Sequence, residues 1–176
     1  MPAEPLIRGT HNRENAAAAA AAARAAGIED TAIAAGLRRF PGVPHRLELV
    51  AERDGVRFVN DSKATNVAAA LRALAAYADE PVHLILGGSP KGEDFAPLAA
   101  AIGPNVQSVH LIGAEAERLA QVIDGDVDGT LAAAVAHAEQ LARTGDVILL
   151  SPACASYDQF ENFEQRGETF RSLARR

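Results

Sequence analysis

With 176 residues, 48% of them apolar, the chain is long enough for one ordinary domain with some extra, and can bury a substantial core. Its formal net charge is −6 with Lys and Arg mixed among Asp and Glu; no basic stripe exists for nucleic acid and no apolar run is long enough to span a membrane. A single cysteine, Cys154, excludes an internal disulfide framework and a multi-cysteine zinc site, and fits a reducing cytoplasm.

Residues 15–26 are nearly all alanine, the best helix former, and Gly27 is a natural C-terminal stop. The polar residues His11 to Asn15 before the run, and alanine's weak hydrophobicity, argue against a signal-peptide core. A second short helix is expected over 29–36, and Pro41-Gly42-Val43-Pro44 reads as a linker or domain boundary. The runs Arg46–Val50 and Val56–Asn60 flank Asp54-Gly55 and predict a β-hairpin.

Strand and helix patterns then alternate. Val82–Leu86 ends in Gly87-Gly88, Val109–Ile112 in Gly113, and Val147–Leu150 in Ser151-Pro152, with helical patterns at 66–78, 94–102, 115–123 and 129–143. Short buried strands alternating with helices predict an α/β fold: a Rossmann-like, mostly parallel sheet with helices on both faces, plus an N-terminal β-hairpin. Each strand ends in small or polar residues, so the carboxyl edge of the sheet collects the candidate contacts.

The densest of these is Asn60-Asp61-Ser62-Lys63-Ala64-Thr65-Asn66, on a strand-to-helix turn, where helix amides favour anions. Asp61 either binds a ribose hydroxyl or a metal-bound water, or caps the helix that follows. His45 and Arg46 stand at the mouth of the hairpin; the Arg either holds a phosphate bidentately or is an ordinary solvated cation. Gly87-Gly88-Ser89-Pro90-Lys91-Gly92 is not a Walker A loop. It presents Lys91 towards a carboxylate or phosphate, or is a plain surface turn. In Leu149–Phe160, small residues allow close backbone approach, and Cys154 reads as a small buried residue rather than a nucleophile, since no Cys–His signature accompanies it. Phe160, Phe163 and Phe170 recur at helical spacing as core candidates. The histidines show no H-x-x-x-H spacing, so no protein-held metal site is expected.

Five stretches together resemble the Mur ligase family, in its D-glutamate-adding branch. They are Gly9-Thr10-His11-Asn12-Arg13-Glu14-Asn15, Pro44-His45-Arg46, the Asn60–Asn66 turn, the Gly87–Gly92 loop, and Ser151-Pro152-Ala153-Cys154-Ala155-Ser156 running on through Asp158–Gly167. Order and spacing agree from about residue 6 to the C-terminus. The resemblance implies a division into 1–42, the last helices of a central ATPase domain, and 43–176, a C-terminal domain that binds the amino acid and closes over the nucleotide. Without a P-loop or the family's modified catalytic lysine, the chain alone is expected to be inactive.

The implied reaction is ATP-dependent addition of D-glutamate to UDP-N-acetylmuramoyl-L-alanine through an acyl phosphate, with ATP and Mg²⁺ held mainly by domains outside this chain. By position, the resemblance places Asn12 and Asn15 near adenine, and His45, Arg46 and Asp61 at phosphates and ribose. It gives the glutamate α-carboxylate to Thr65 and Lys91, and the side-chain carboxylate to Ser156 with the backbone around Tyr157 and Phe163. Lys63 supplies charge near the reacting groups. Ser89-Pro90 departs from the family's frequent Asp-Gly, and the proline is expected to stiffen the loop carrying Lys91. Two other readings stay open: a related amide ligase using L-glutamate or a folate-like acceptor, and a non-catalytic nucleotide- or amino-acid-binding module. Residues 1–42 are expected to pack loosely or to exchange with a neighbouring copy.

Overall fold

The computed structural model describes residues 8–176, so the first seven positions of the expected 1–42 segment lie outside the described residues. The chain divides into two compact units, Met1–Pro44 and His45–Arg176.

In the first unit, α1 (Thr10–Ala25) and α2 (Asp30–Arg39) are joined by a tight turn. The alanine run carries the helix back through the polar residues His11–Asn15, so α1 starts earlier than the composition predicts. It ends at Gly27 (φ +82°). There the Ile28 and Gly27 amides donate to the carbonyls of Ala23 and Arg24 at 3.1 and 3.0 Å, which satisfies the last helical acceptors. Neither helix contains a buried residue.

The second unit opens with a hairpin of β1 (Glu48–Arg53) and β2 (Val56–Asn60). Asp54 and Gly55, at φ +52° and +76°, make the turn whose twist matches its strands. There follow α3 (Val67–Ala76), β3 (Val82–Gly87), α4 (Ala96–Ala101), β4 (Val106–Ile112), α5 (Ala116–Leu119), β5 (Asp126–Gly129), α6 (Leu131–Leu141), β6 (Val147–Leu150) and α7 (Phe163–Ala174). The sheet order is β1-β2-β6-β3-β4-β5, parallel throughout except for β1.

Both faces are covered, which is why the central strands read as unbroken apolar runs. Val147 and Leu149 face α3, α4 and α5, while Ile148 and Leu150 face α6 and α7. Two elements carry no legible sequence pattern. β5 (Asp-Val-Asp-Gly) is a polar edge strand of four residues. α7 buries Arg166 and Gly167 where a helix stripe would ordinarily be apolar.

The chain passes from β2 over β6 to β3, and returns from β5 through α6 to insert β6 between them. That reversal brings the carboxyl ends of β2, β6 and β3 side by side, and a crevice at such a point is where open α/β sheets bind ligands.

Candidate functional site

Three loops meet at that edge: 61–66 after β2, 88–95 after β3, and 151–162 after β6. The glycines of the second loop exist for close approach. A Cβ on Gly87 (φ +115°) would lie 2.0 Å from the Ile112 carbonyl oxygen, and one on Gly88 (φ +137°) 2.1 Å from that of Ala155. The loops are then laced together. Ser89 N–H donates to the Ala155 carbonyl at 2.8 Å. The Ser89 hydroxyl donates to Asp158 Oδ1 at 3.1 Å and accepts from the Asp158 amide at 2.7 Å.

Asp61 is buried at the root of the first loop. It accepts hydrogen bonds from the Leu47 amide at 3.2 Å and the Ser151 hydroxyl at 3.0 Å. Desolvation raises its pKa to about 7, against the opposing pull of the Leu47 amide, Ser151 and the Arg46 charge. It does not cap α3; Asn66 does, accepting from the Ala69 amide at 2.9 Å. Arg46 is exposed between two residues in left-handed backbone, His45 (φ +63°) and Leu47 (φ +45°). That strained pair is held from outside: the His45 amide donates to Glu48 Oε2 at 3.0 Å and the Leu47 amide to Asp61.

Both ring nitrogens of His45 are engaged within the protein, Nδ1 with Asn60 Nδ2 at 3.0 Å and Nε2 with Glu168 at 3.7 Å. The ring also meets Phe163 edge-on, 5.9 Å between centroids. On the other side of the cluster the Lys63 ammonium stands 3.7 Å from the centroid of the same Phe163 ring, a cation–π contact.

Thr65 and Lys91 are brought together across the crevice, Lys91 Nζ donating to the Thr65 carbonyl at 3.1 Å. Ser156 is buried, whereas the Tyr157 side chain is 74% exposed. Asn12 and Asn15 lie one turn apart on α1 of the first unit, and Asn12 Nδ2 donates to the Arg8 carbonyl at 2.6 Å.

Arg166 is the organising residue to which the sequence assigns no role. It is fully buried. Its guanidinium donates to the Ser62 hydroxyl at 3.0 Å and carbonyl at 2.9 Å, and to the carbonyls of Cys154 at 3.1 Å and Ala155 at 3.0 Å. Burial lowers its pKa to about 10, which leaves it charged at neutral pH. None of these four contacts is a carboxylate, but the charge of nearby Asp158 favours the charged guanidinium that lies behind the two loops. The guanidinium fixes Ser62 against Cys154-Ala155 and favours anions in front of them. The sequence signal was an Arg-Gly pair on one helix, with Gly167 needed because a Cβ there would lie 2.2 Å from His45 Nδ1. Cys154 itself is an inert thiol, pushed up to about 12 chiefly by burial.

The model of the Mur ligase glutamate ligase domain matches residues 45–154. The chain belongs to the Mur ligase family. It is 52% identical over 171 residues to the UDP-N-acetylmuramoylalanine–D-glutamate ligase of Myxococcus xanthus, covering 95% of this chain and 37% of that protein. Among solved structures it is similar to the MurF ligase of Thermotoga maritima in complex with ADP, at 19% identity with a TM-score of 0.69, over 95% of this chain and 39% of that one. It is also similar to FolC of E. coli in complex with ADP, at 25% identity and a TM-score of 0.69, over 98% of this chain and 40% of that one. This chain thus spans 37% of the length of its Myxococcus relative. Its second unit has the Mur ligase layout, with three loops converging at the switch point of the sheet.

Proposed function

We propose that the chain is the amino-acid-binding, nucleotide-closing part of an ATP-dependent ligase that joins D-glutamate to UDP-N-acetylmuramoyl-L-alanine in peptidoglycan precursor synthesis in the cytoplasm. The observation that carries this reading is the meeting of Thr65 and Lys91 across the crevice, with the buried Ser156 on the loop that the Ser89 amide ties in through the Ala155 carbonyl and the Arg166 cation behind. A dicarboxylate needs two anion-binding subsites. Lys91 with Thr65 forms the one for the α-carboxylate, and Ser156 with the backbone near Tyr157 and Phe163 forms the other. The identity to a relative named for D-glutamate, 52% against 25% for FolC, favours this substrate over a folate-type acceptor.

In this chain's share of the chemistry, Lys91 and Thr65 orient the amino acid so that its amine faces the acceptor carboxylate. Lys63, held over Phe163, adds positive charge near the reacting groups. Arg46 fits a phosphate: it is exposed, and its backbone is fixed on both sides. Asp61 fits a ribose hydroxyl or a metal-bound water, its oxygens already oriented by Leu47 and Ser151. Asn12 and Asn15 are assigned to adenine. ATP with Mg²⁺, when bound, activates the acceptor carboxylate by phosphorylation. The central domain supplies most of its ligands, and the chain alone is inactive.

The test is calorimetric titration with D-glutamate and L-glutamate separately. Saturable binding of the D enantiomer, weakened at least tenfold in Lys91→Ala, is the expected result. A preference for L-glutamate would overturn the substrate assignment, and binding unaffected by Lys91→Ala would overturn the subsite.

A further inference from the structure

On the α6 side of the sheet, away from the glutamate cluster, the described residues contain an unbroken run of polar side chains. Asp146 Oδ2 lies 3.1 Å from His83 Nε2, and His83 Nδ1 lies 2.7 Å from the Ser108 hydroxyl. That hydroxyl lies 2.7 Å from His110 Nε2, and His110 Nδ1 lies 2.8 Å from Asp128 Oδ2. The other oxygen of Asp128 lies 2.9 Å from His137 Nδ1, and His137 Nε2 stands 3.9 Å from Asp126. One ring nitrogen of each of His110 and His137 and one oxygen of Asp126 lie within 4.8 Å of one another.

We propose that His110, Asp126 and His137, backed by Asp128, form a site for one divalent transition-metal ion of the zinc, cobalt or nickel kind at the β5 edge of the sheet.

The hydrogen count of the run argues for a cation there. Four contacts link Asp146 to Asp128 through His83, Ser108 and His110, and each needs one hydrogen. The carboxylates at the two ends bring none. Two neutral imidazoles and one hydroxyl bring three between them. The run is therefore one positive charge short. A metal ion on Nδ1 of His110 completes it without strain: His110 Nε2–H donates to Ser108, Ser108 O–H to His83 Nδ1, and His83 Nε2–H to Asp146. This is the outer-shell pattern that fixes a metal-bound imidazole's tautomer. An extra proton on His83 or His110 would complete the count too; the gathering of ring nitrogens of His110 and His137 and an oxygen of Asp126 within 4.8 Å of one another favours a metal ion.

The fold supplies the rest. Asp126 and Asp128 are two residues apart on β5 and share a face. His110 pairs with Asp126 across the β4–β5 ladder, and His137 comes from α6. His110 is fully buried at the base, while His137 and Asp126 side chains are 34% and 60% exposed, which leaves an entry path. Two imidazoles select a borderline transition metal over magnesium or calcium, and two carboxylates neutralise its charge. Because the donors come from three elements, no H-x-x-x-H spacing announces them. The ion would pin a four-residue edge strand to α6.

The experiment is titration of chelator-treated chain with Co²⁺, followed by visible absorption, with Zn²⁺ as competitor. One equivalent should bind, be displaced by Zn²⁺, and resist excess Mg²⁺. Asp126→Asn and His137→Ala, both at exposed or half-exposed positions, should each weaken binding at least tenfold while far-ultraviolet circular dichroism is unchanged. Zn²⁺ should raise the thermal midpoint of the parent chain and not of the variants. Absence of stoichiometric binding, or binding that both variants retain, would overturn the site. In the first case, ¹⁵N spectra showing a protonated imidazole at His83 or His110 would assign the missing charge to a proton.

Discussion

Asp61 and Arg166 place opposite charges at the roots of the same two loops, and their burial has opposite consequences. The Asp61 pKa in the folded state is raised from 3.8 to about 7. A raised carboxylate pKa means that the unfolded chain ionises first. Its unfavourable contribution is absent below about pH 4, grows between about pH 4 and 7, and is complete above about pH 7. Asp61→Asn removes the charge and keeps an acceptor for the Leu47 amide. The variant should match the parent near pH 4 and exceed it by about 2–4 kcal/mol at pH 8, read from urea denaturation at the two pH values. A constant difference across that range would refute the assignment. Arg166→Met is expected to act the other way. It leaves the buried carbonyls of Ser62 and Cys154 without their donor and takes one of two donors from that of Ala155, at a cost of at least about 3 kcal/mol. Thermal or urea unfolding reads that loss directly.

At the scale of elements, the helix that follows the 61–66 turn starts on Asn66, not Asp61. Its side chain accepts from the Ala69 amide at 2.9 Å. Asn66→Ala should therefore destabilise the chain by about 1 kcal/mol, and urea midpoints would show it. The same comparison explains what the sequence makes legible. Strands buried on both faces, such as Val82–Gly87, announce themselves as apolar runs, and glycines at their ends mark the crevice. The turn residues Asp61, Ser62, Lys63, Thr65 and Asn66 stand out because polar groups concentrate at one strand end. What stays hidden is whatever depends on partners distant in the chain. β5 is a strand because β4 pairs with it, not because Asp-Val-Asp-Gly favours one. α7 buries an arginine whose acceptors are more than ten residues away in sequence. The same limit hides the His110, Asp126 and His137 cluster, whose members belong to three elements.

For the whole molecule, the two units are stabilised by different physics. In His45–Arg176 the sheet is sandwiched between two apolar clusters, and Leu84, Leu86, Ile148 and Leu150 are completely buried. In the first unit, α1 is a 16-residue, alanine-rich helix with no buried residue. A helix of that length is marginal in water when propensity alone supports it. Hydrogen exchange in a dilute monomer should therefore separate them. Amides of Ala17–Ala25 should exchange through local fraying, at least about a hundredfold faster than those of Leu84–Leu86 and Ile148–Leu150, which need global opening. Adding urea below the midpoint should accelerate only the second group, because its opening exposes a large surface and that of α1 little. Equal protection in both units, with equal urea dependence, would mean that α1 unfolds only with the sheet. In that case the first unit would belong to one cooperative structure with His45–Arg176, and the helix that carries Asn12 and Asn15 would be ordered in this chain by itself.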